Sequence, residues 1–274
     1  MLEMIFNGVV NNPPLVHNIT NYVTVNDCAN IVLAAGGSPL MADDIEEVAD
    51  IVSISSALYI NVGTLNKRTI EAMILAGKVA NEKGIPVILD PVGMGASALR
   101  NNTVKTLVET IKLDVIKGNM SEIKALYMDC RNLGGVDVTE EDQIDEDGLG
   151  GTIKFAKAVA NRFKSHIVIT GPIDVITDGI KVAIVKNGHP MMSRITGTGC
   201  MTGSILGTYC GSNKEVIFEA SVASLVLMGL SGEKAYAKVV ENEEGTASFR
   251  RHLIDSVSLM SLEMLKEGAK FEIM

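Results

Sequence analysis

Residues 57–95 read ALYINVGTLNKRTIEAMILAGKVANEKGIPVILDPVGMG. Ala57 to Val62 is an apolar run of strand length. Gly63 to Asn66 carries turn residues. A long helical pattern then runs to Glu82 and stops at Gly84, and Pro86 to Asp90 is a second apolar run. An apolar strand, an amphipathic helix and another apolar strand make the unit of a parallel sheet covered by helices. In such sheets ligands sit at the carboxyl ends of the strands. Asp90-Pro91-Val92-Gly93-Met94-Gly95 is at such an end, so Asp90 is either an Asx-turn residue beside a proline or a carboxylate facing a metal and phosphate.

Working upstream, Pro13 and Pro14 block a helix. A helix is expected from about Thr20 to Ala35, capped by Thr20 or Asn21 and ended by Gly36-Gly37. His17, Asn18, Thr20 and Asn21 give its start a density of neutral donors and acceptors suited to a small uncharged polar ligand. Ser38 to Ala42 reads as a short strand ending near Met41, and Asp43-x-x-Glu46 as a capping box for a helix through Ser53.

Downstream, Leu113 to Lys117 is a strand, and Asn119 and Glu122 open the next helix. Three residues apart, they share a face. They fit a capping box, and Glu122 equally fits a place beside Mg²⁺. Lys117 is placed to reach a nucleotide. Residues 129–150 are rich in Asp, Glu and Gly and read as a solvated surface segment. A helix to Phe163, a strand from His166 to Thr170, and a hairpin turning at Asp178-Gly179 follow. That dipeptide favours a type I′ turn, and the hairpin predicts an antiparallel edge on a parallel sheet. Two or three helices, Met201–Tyr209, Glu215–Tyr236 and Gly245–Leu265, are expected to follow.

Before them comes Thr196-Gly197-Thr198-Gly199-Cys200. Glycine permits close backbone approach and φ > 0. The first N–H groups of the helix after it lack partners and carry partial positive charge, which makes a phosphate site with Cys200 where loop meets helix. Alone, a Gly-x-Gly with a buried inert cysteine is the plainer reading.

Composition narrows the class. Apolar residues are 47% and aromatics only 4%, so the core must be aliphatic. The net charge of −9 argues against nucleic acid or an anionic membrane surface as partner. Cys28, Cys130, Cys200 and Cys210 form no metal-binding or disulfide pattern, the first residues do not read as a signal peptide, and no apolar run has the look of a membrane span. A cytoplasmic, single-domain protein over residues 1–274 is expected. There is no Gly-x-x-x-x-Gly-Lys-Ser/Thr and no Gly-x-Gly-x-x-Gly, so neither a P-loop enzyme nor a nicotinamide dehydrogenase fits. An anion hole, two carboxylates and a base are the parts of phosphoryl transfer.

The stretches PLVHNITN (14–21), SPLMA (38–42), ILDPVGMGA (88–96), IKGNMSEI (116–123), VITGPIDVI (168–176) and TGTGC (196–200) resemble, in order and spacing, those of the hydroxyethylthiazole kinases. The resemblance implies a ribokinase-like three-layer α/β/α sandwich, mostly parallel with an antiparallel hairpin edge. It implies ATP-dependent phosphorylation of 4-methyl-5-(2-hydroxyethyl)thiazole with Mg²⁺, in a homotrimer with sites between subunits. It also implies roles for single residues. Cys200 is the catalytic position; Met41, Gly197, Asn21 and Val23 are substrate positions. Lys117, Thr170 and Gly199 are ATP positions, and Asp90 and Glu122 metal positions. Lys117 stands where the family can carry Arg, and lacks its planar fork. Three rivals stand beside this reading: a kinase for another small alcohol such as hydroxymethylpyrimidine, a hydrolase pairing Cys200 with His17 or His189, and a nucleotide-binding module without turnover.

Overall fold

The computed structural model describes residues 1–129 and 148–274. Among them one sheet is built from β1 (Leu15–Ile19), β2 (Ser38–Leu40), β3 (Ala57–Asn61), β4 (Val87–Asp90), β5 (Val115–Asn119), β6 (His166–Thr170), β7 (Asp174–Thr177), β8 (Val182–Val185) and β9 (Phe271–Ile273). The spatial order is β2-β1-β3-β4-β5-β6-β7-β8-β9. Pairing is parallel from β2 through β6 and antiparallel from β6 to β9. The carboxyl ends of the parallel strands therefore share one edge.

Side-chain alternation sets the layers. Tyr59, Ile88, Val115, Val168 and Ile176 face one core, closed by α1 (Leu2–Asn11), α2 (Val25–Ala34), α8 (Thr198–Ser212), α9 (Ile217–Glu241), α10 (Thr246–Ser258) and α11 (Leu262–Gly268). Leu58, Leu89, Ile116 and Ile167 face the other, under α3 (Val48–Ser53), α4 (Lys67–Glu82), α5 (Ala98–Thr110), α6 (Met120–Asp129) and α7 (Leu149–Phe163). This is the three-layer α/β/α sandwich expected. The 3₁₀-led helix Lys214–Glu241 is long and apolar enough to cross a membrane, contrary to the sequence reading, but most of it is buried as a core helix.

Several expectations need correction. Residues 15–19 form a strand, not a helix approach, and α2 begins only at Val25. The alternation explains it: Val16 and Asn18 face α8, where Ser204 Oγ donates to Asn18 Oδ1 at 3.0 Å, while Ile19 enters the opposite core. No box joins Asp43 to Glu46; Asp44 Oδ1 instead accepts from the Glu46 backbone at 3.0 Å, and α3 starts at Val48. Only Gly179 of the hairpin turn has positive φ, +96°. Asp178 Oδ1 accepts from the N–H groups of Ile180 and Lys181, so the turn is an Asx-type loop rather than type I′. The last helix is two, because Ser261 caps α11 through the Met264 N–H. The elements α1, α5 and β9 were not foreseen. The acidic stretch lies largely outside the described residues.

Candidate active site

A cleft of about 340 Å³ opens at the carboxyl edge of the parallel strands. It is built from the ends of β4, β5 and β6, the loops after β1 and β3, and the start of α8. Asn21, Val23, Asp90, Lys117, Glu122, Thr170, Gly197, Gly199 and Cys200 all line it. Met41 does not belong to the lining; it is half-buried on the loop after β2, packed against the α8 core. Tyr59 and Asn61 reach the same network from β3 and were missed by sequence reasoning. The signal for Asn61 was present: a carboxamide closing an otherwise apolar strand, beside Asp90 in register.

Asp90 is fully buried. Its Oδ2 accepts from Tyr59 Oη at 2.8 Å, Lys117 Nζ at 3.0 Å and Asn61 Nδ2 at 3.1 Å, whereas Oδ1 is buried with no partner. Burial pushes the Asp90 carboxyl above the usual carboxylate range, against the pull of Lys117. Burial is the largest single influence on Lys117 and would lower it, but the charge and hydrogen bond of Asp90, together with the other acidic groups around it, outweigh burial and the ammonium is held charged. Burial and the neighbouring Asp90 charge keep the Tyr59 hydroxyl protonated, so it serves as a donor. The Tyr59 ring reaches Asp90 only because Gly203 lacks a side chain: a Cβ there would lie 2.3 Å from Cε2.

The loop before α8 turns at Gly197 and leaves the first N–H groups of the helix open. Gly197 caps the helix with φ +93°, and a Cβ on it would lie 2.8 Å from Thr24 Cγ2. The first hydrogen bond of the turn runs from Met201 N–H to Gly197 C=O at 2.8 Å. The N–H groups of Thr198, Gly199 and Cys200 thus have no helical acceptor. Lys117 Nζ also donates to Gly199 C=O at 2.9 Å, tying the end of β5 to this loop. Cys200 Sγ receives Nδ2 of Asn21 at 3.2 Å and of Asn61 at 3.3 Å.

Glu122 and Asn119 do form the reciprocal box: Asn119 N–H donates to Glu122 Oε2 at 2.9 Å and Glu122 N–H to Asn119 Oδ1 at 2.9 Å. Glu122 Oε1 accepts from Gly93 N–H at 2.9 Å. Capping and cleft-lining are therefore one arrangement, since each oxygen keeps a lone pair. No group of three or more His, Cys, Asp or Glu among the described residues could hold a metal unaided. Two carboxylates in one cleft, one with an unpartnered buried oxygen, fit Mg²⁺ that keeps waters and takes phosphate oxygens as further ligands.

The histidines do not serve Cys200. His17 Nε2–H donates to Ala42 C=O at 2.8 Å inside the sheet. His189 Nδ1 accepts from Met191 N–H, and its ring stacks on Tyr236. Burial pushes the thiols of Cys28 and Cys210 up to about 11 and about 12, and neither lines the cleft.

Residues 6–263 match the model of the Hydroxyethylthiazole kinase family. A protein named hydroxyethylthiazole kinase from Ruminiclostridium cellulolyticum is 54% identical over 94% of this chain and 92% of its own length. One of the same name from Clostridium beijerinckii is 49% identical over 98% and 95%. The solved hydroxyethylthiazole kinase from Pyrococcus horikoshii superposes with a TM-score of 0.87 at 32% identity, covering 100% of this chain and 98% of that one. The pyridoxal kinase from Staphylococcus aureus, solved with ADP, shares the fold at 13% identity with a TM-score of 0.57, over 80% of this chain and 87% of that one.

Proposed function

The chain belongs to the hydroxyethylthiazole kinase family, and from that premise we propose how its cleft works. It is a kinase that phosphorylates the alcohol of a hydroxyethylthiazole in thiamine-related metabolism. ATP is the proposed donor. Its transferring phosphoryl group lies against the free N–H groups of residues 198–200 and beside Lys117, with Thr170 and Gly199 completing the nucleotide side. Asp90 and Glu122 would hold Mg²⁺, which when bound neutralises phosphate charge. The substrate hydroxyl lies at Cys200 Sγ, which takes its proton, and Asn21, Val23 and Gly197 shape the pocket for the thiazole. The observation that supports this reading is the convergence of an anion-binding helix start, a buried cation, two carboxylates and a thiol on one cleft.

The assembly belongs to the same proposal. Tyr22, Val23 and Val25 are exposed apolar residues beside the cleft and are the face offered to a neighbour in a homotrimer. Residues 15–19 lie inside the sheet and cannot reach out, so only the 22–25 segment remains for that role. Met41, outside its own subunit's cleft, is then available to a neighbouring subunit's thiazole. The described cysteines Cys28, Cys200 and Cys210 are unpaired, in keeping with the cytoplasm.

A direct test is ATP consumption with the thiazole alcohol against the hydroxymethylpyrimidine alcohol. Turnover of the first and not the second is expected. Preference for the pyrimidine would move the substrate assignment, and ATP binding without turnover on either would leave only a nucleotide-binding module.

A further inference from the structure

We infer that Asn61, backed by Asn21, is a positioning residue that presents the Cys200 sulfur to the substrate hydroxyl as a hydrogen-bond acceptor. This rests on the reading of Cys200 as the base.

Backbone groups decide which way both amides face. Gly63 N–H donates to Asn61 Oδ1 at 2.9 Å, and Thr24 N–H donates to Asn21 Oδ1 at 3.2 Å. A backbone N–H can only donate, so each Oδ1 is the acceptor end and each Nδ2 the donor end. Asn21 Nδ2 has two hydrogens: one goes to Asn61 Oδ1 at 3.0 Å and the other to Cys200 Sγ at 3.2 Å. Asn61 Nδ2 places one hydrogen toward Cys200 Sγ at 3.3 Å and offers the other to Tyr59 Oη at 2.8 Å and Asp90 Oδ2 at 3.1 Å. The sulfur therefore receives two N–H donors. Hydrogen bonds in which one partner is ionised are about twice as strong as neutral ones.

The same contacts close a ring. Asn61 joins the sulfur to Asp90; Asp90 holds Lys117; Lys117 holds the carbonyl of Gly199, the residue before Cys200. Cys200 is fixed through its side chain by Asn61 and through its backbone by Lys117. In the reaction the substrate O–H bond breaks and its proton passes to Sγ. The electron pair left on oxygen forms the new bond to phosphorus as the bond from phosphorus to the departing ADP oxygen breaks.

The test compares steady-state kinetics of wild type, Asn61→Ala, Cys200→Ala and the double variant. Asn61→Ala should lower kcat roughly tenfold to a hundredfold, the effect of losing a hydrogen bond to a charged acceptor, with KM for both substrates little changed. In the Cys200→Ala background the same substitution should change kcat by no more than about twofold, because its target is gone. An equal loss in both backgrounds would overturn the inference and assign Asn61 to Asp90 or to the fold. Cys200→Ala with wild-type kcat would overturn the base reading itself, and the inference with it. Asn61→Asp carries the same comparison if the alanine variant does not fold. It keeps acceptors for Gly63 and Asn21 while removing the donor to sulfur, and wild-type kcat in that variant would also overturn the inference.

Discussion

At the scale of single residues, the thiol and the two carboxylates divide the work. Phosphoryl transfer through a loose transition state draws mainly on electrostatics and positioning. A base contributes a factor on top, so Cys200→Ala should lower kcat by about 10²–10⁴-fold with a small change in KM. Cys200→Asp should keep appreciable activity, since a carboxylate supplies an acceptor in the same place. A phosphocysteine, detected as labelled phosphate on the protein and ping-pong kinetics, would contradict the base role. Asp90→Asn and Glu122→Gln should each lower kcat, most plainly at limiting Mg²⁺; near-normal kcat in both would remove the metal assignment. Stability should separate them. Asp90 is the partner of a buried ammonium, and removing one charge from a buried pair costs roughly 3–5 kcal/mol. Glu122 lies nearer solvent, and Gln keeps its acceptor for one N–H. The melting temperature should therefore fall far more for Asp90→Asn.

At the scale of elements, close approach of α8 to β3 holds the site together. Gly203→Ala would place a methyl against the Tyr59 ring. Overpacking of this kind costs about 1–3 kcal/mol and should also lower kcat by pushing the Tyr59 hydroxyl off Asp90; thermal denaturation with kinetics checks both. The sequence made the βα alternation and the parallel layers legible because apolar strand runs alternate with helix-period runs from residue 57 onward. Asp90, Lys117, Glu122 and Thr170 lie at or just past the strand ends expected, and the 196–200 loop lies where loop meets helix, as expected. Residues 15–19 misled because His17 and Asn18 look like exposed polar residues, whereas each is buried with a partner, His17 Nε2 at the Ala42 carbonyl and Asn18 at Ser204 of α8. Tyr59 was invisible for a related reason: its role depends on a glycine 144 positions later (203 − 59), and no local pattern encodes that approach. β9 is three residues long and has no period to detect.

At the scale of the whole molecule, two measurements bear on folding and assembly. Burial pushes the Asp174 carboxyl up to about 7, well above its unfolded value. The native state then binds a proton that the unfolded state releases, so this group favours folding less as pH rises from about 4 to about 7, and the penalty is constant above that. Asp174→Asn keeps an acceptor for the Gly171 N–H. It should raise the melting temperature at pH 8 and leave it nearly unchanged at pH 4; the opposite order would mean that Asp174 is charged without penalty. For assembly, light scattering should give a trimer at assay concentration. A fully active monomer would mean that the exposed residues 22–25 serve no neighbour.

The hydrogen bond from Asn21 to Cys200 spans 179 residues. Chains grow at about 5–20 residues per second, so on a ribosome the amide waits roughly 10 to 40 s before its sulfur exists. Through that interval Asn61 and Asp90 have been made, yet neither the thiol nor the Gly199 carbonyl that Lys117 will hold is present. The ring can close only after most of the sheet has been synthesised, so the growing chain carries Asp90 and Lys117 unsealed for several seconds before the helix that buries them arrives.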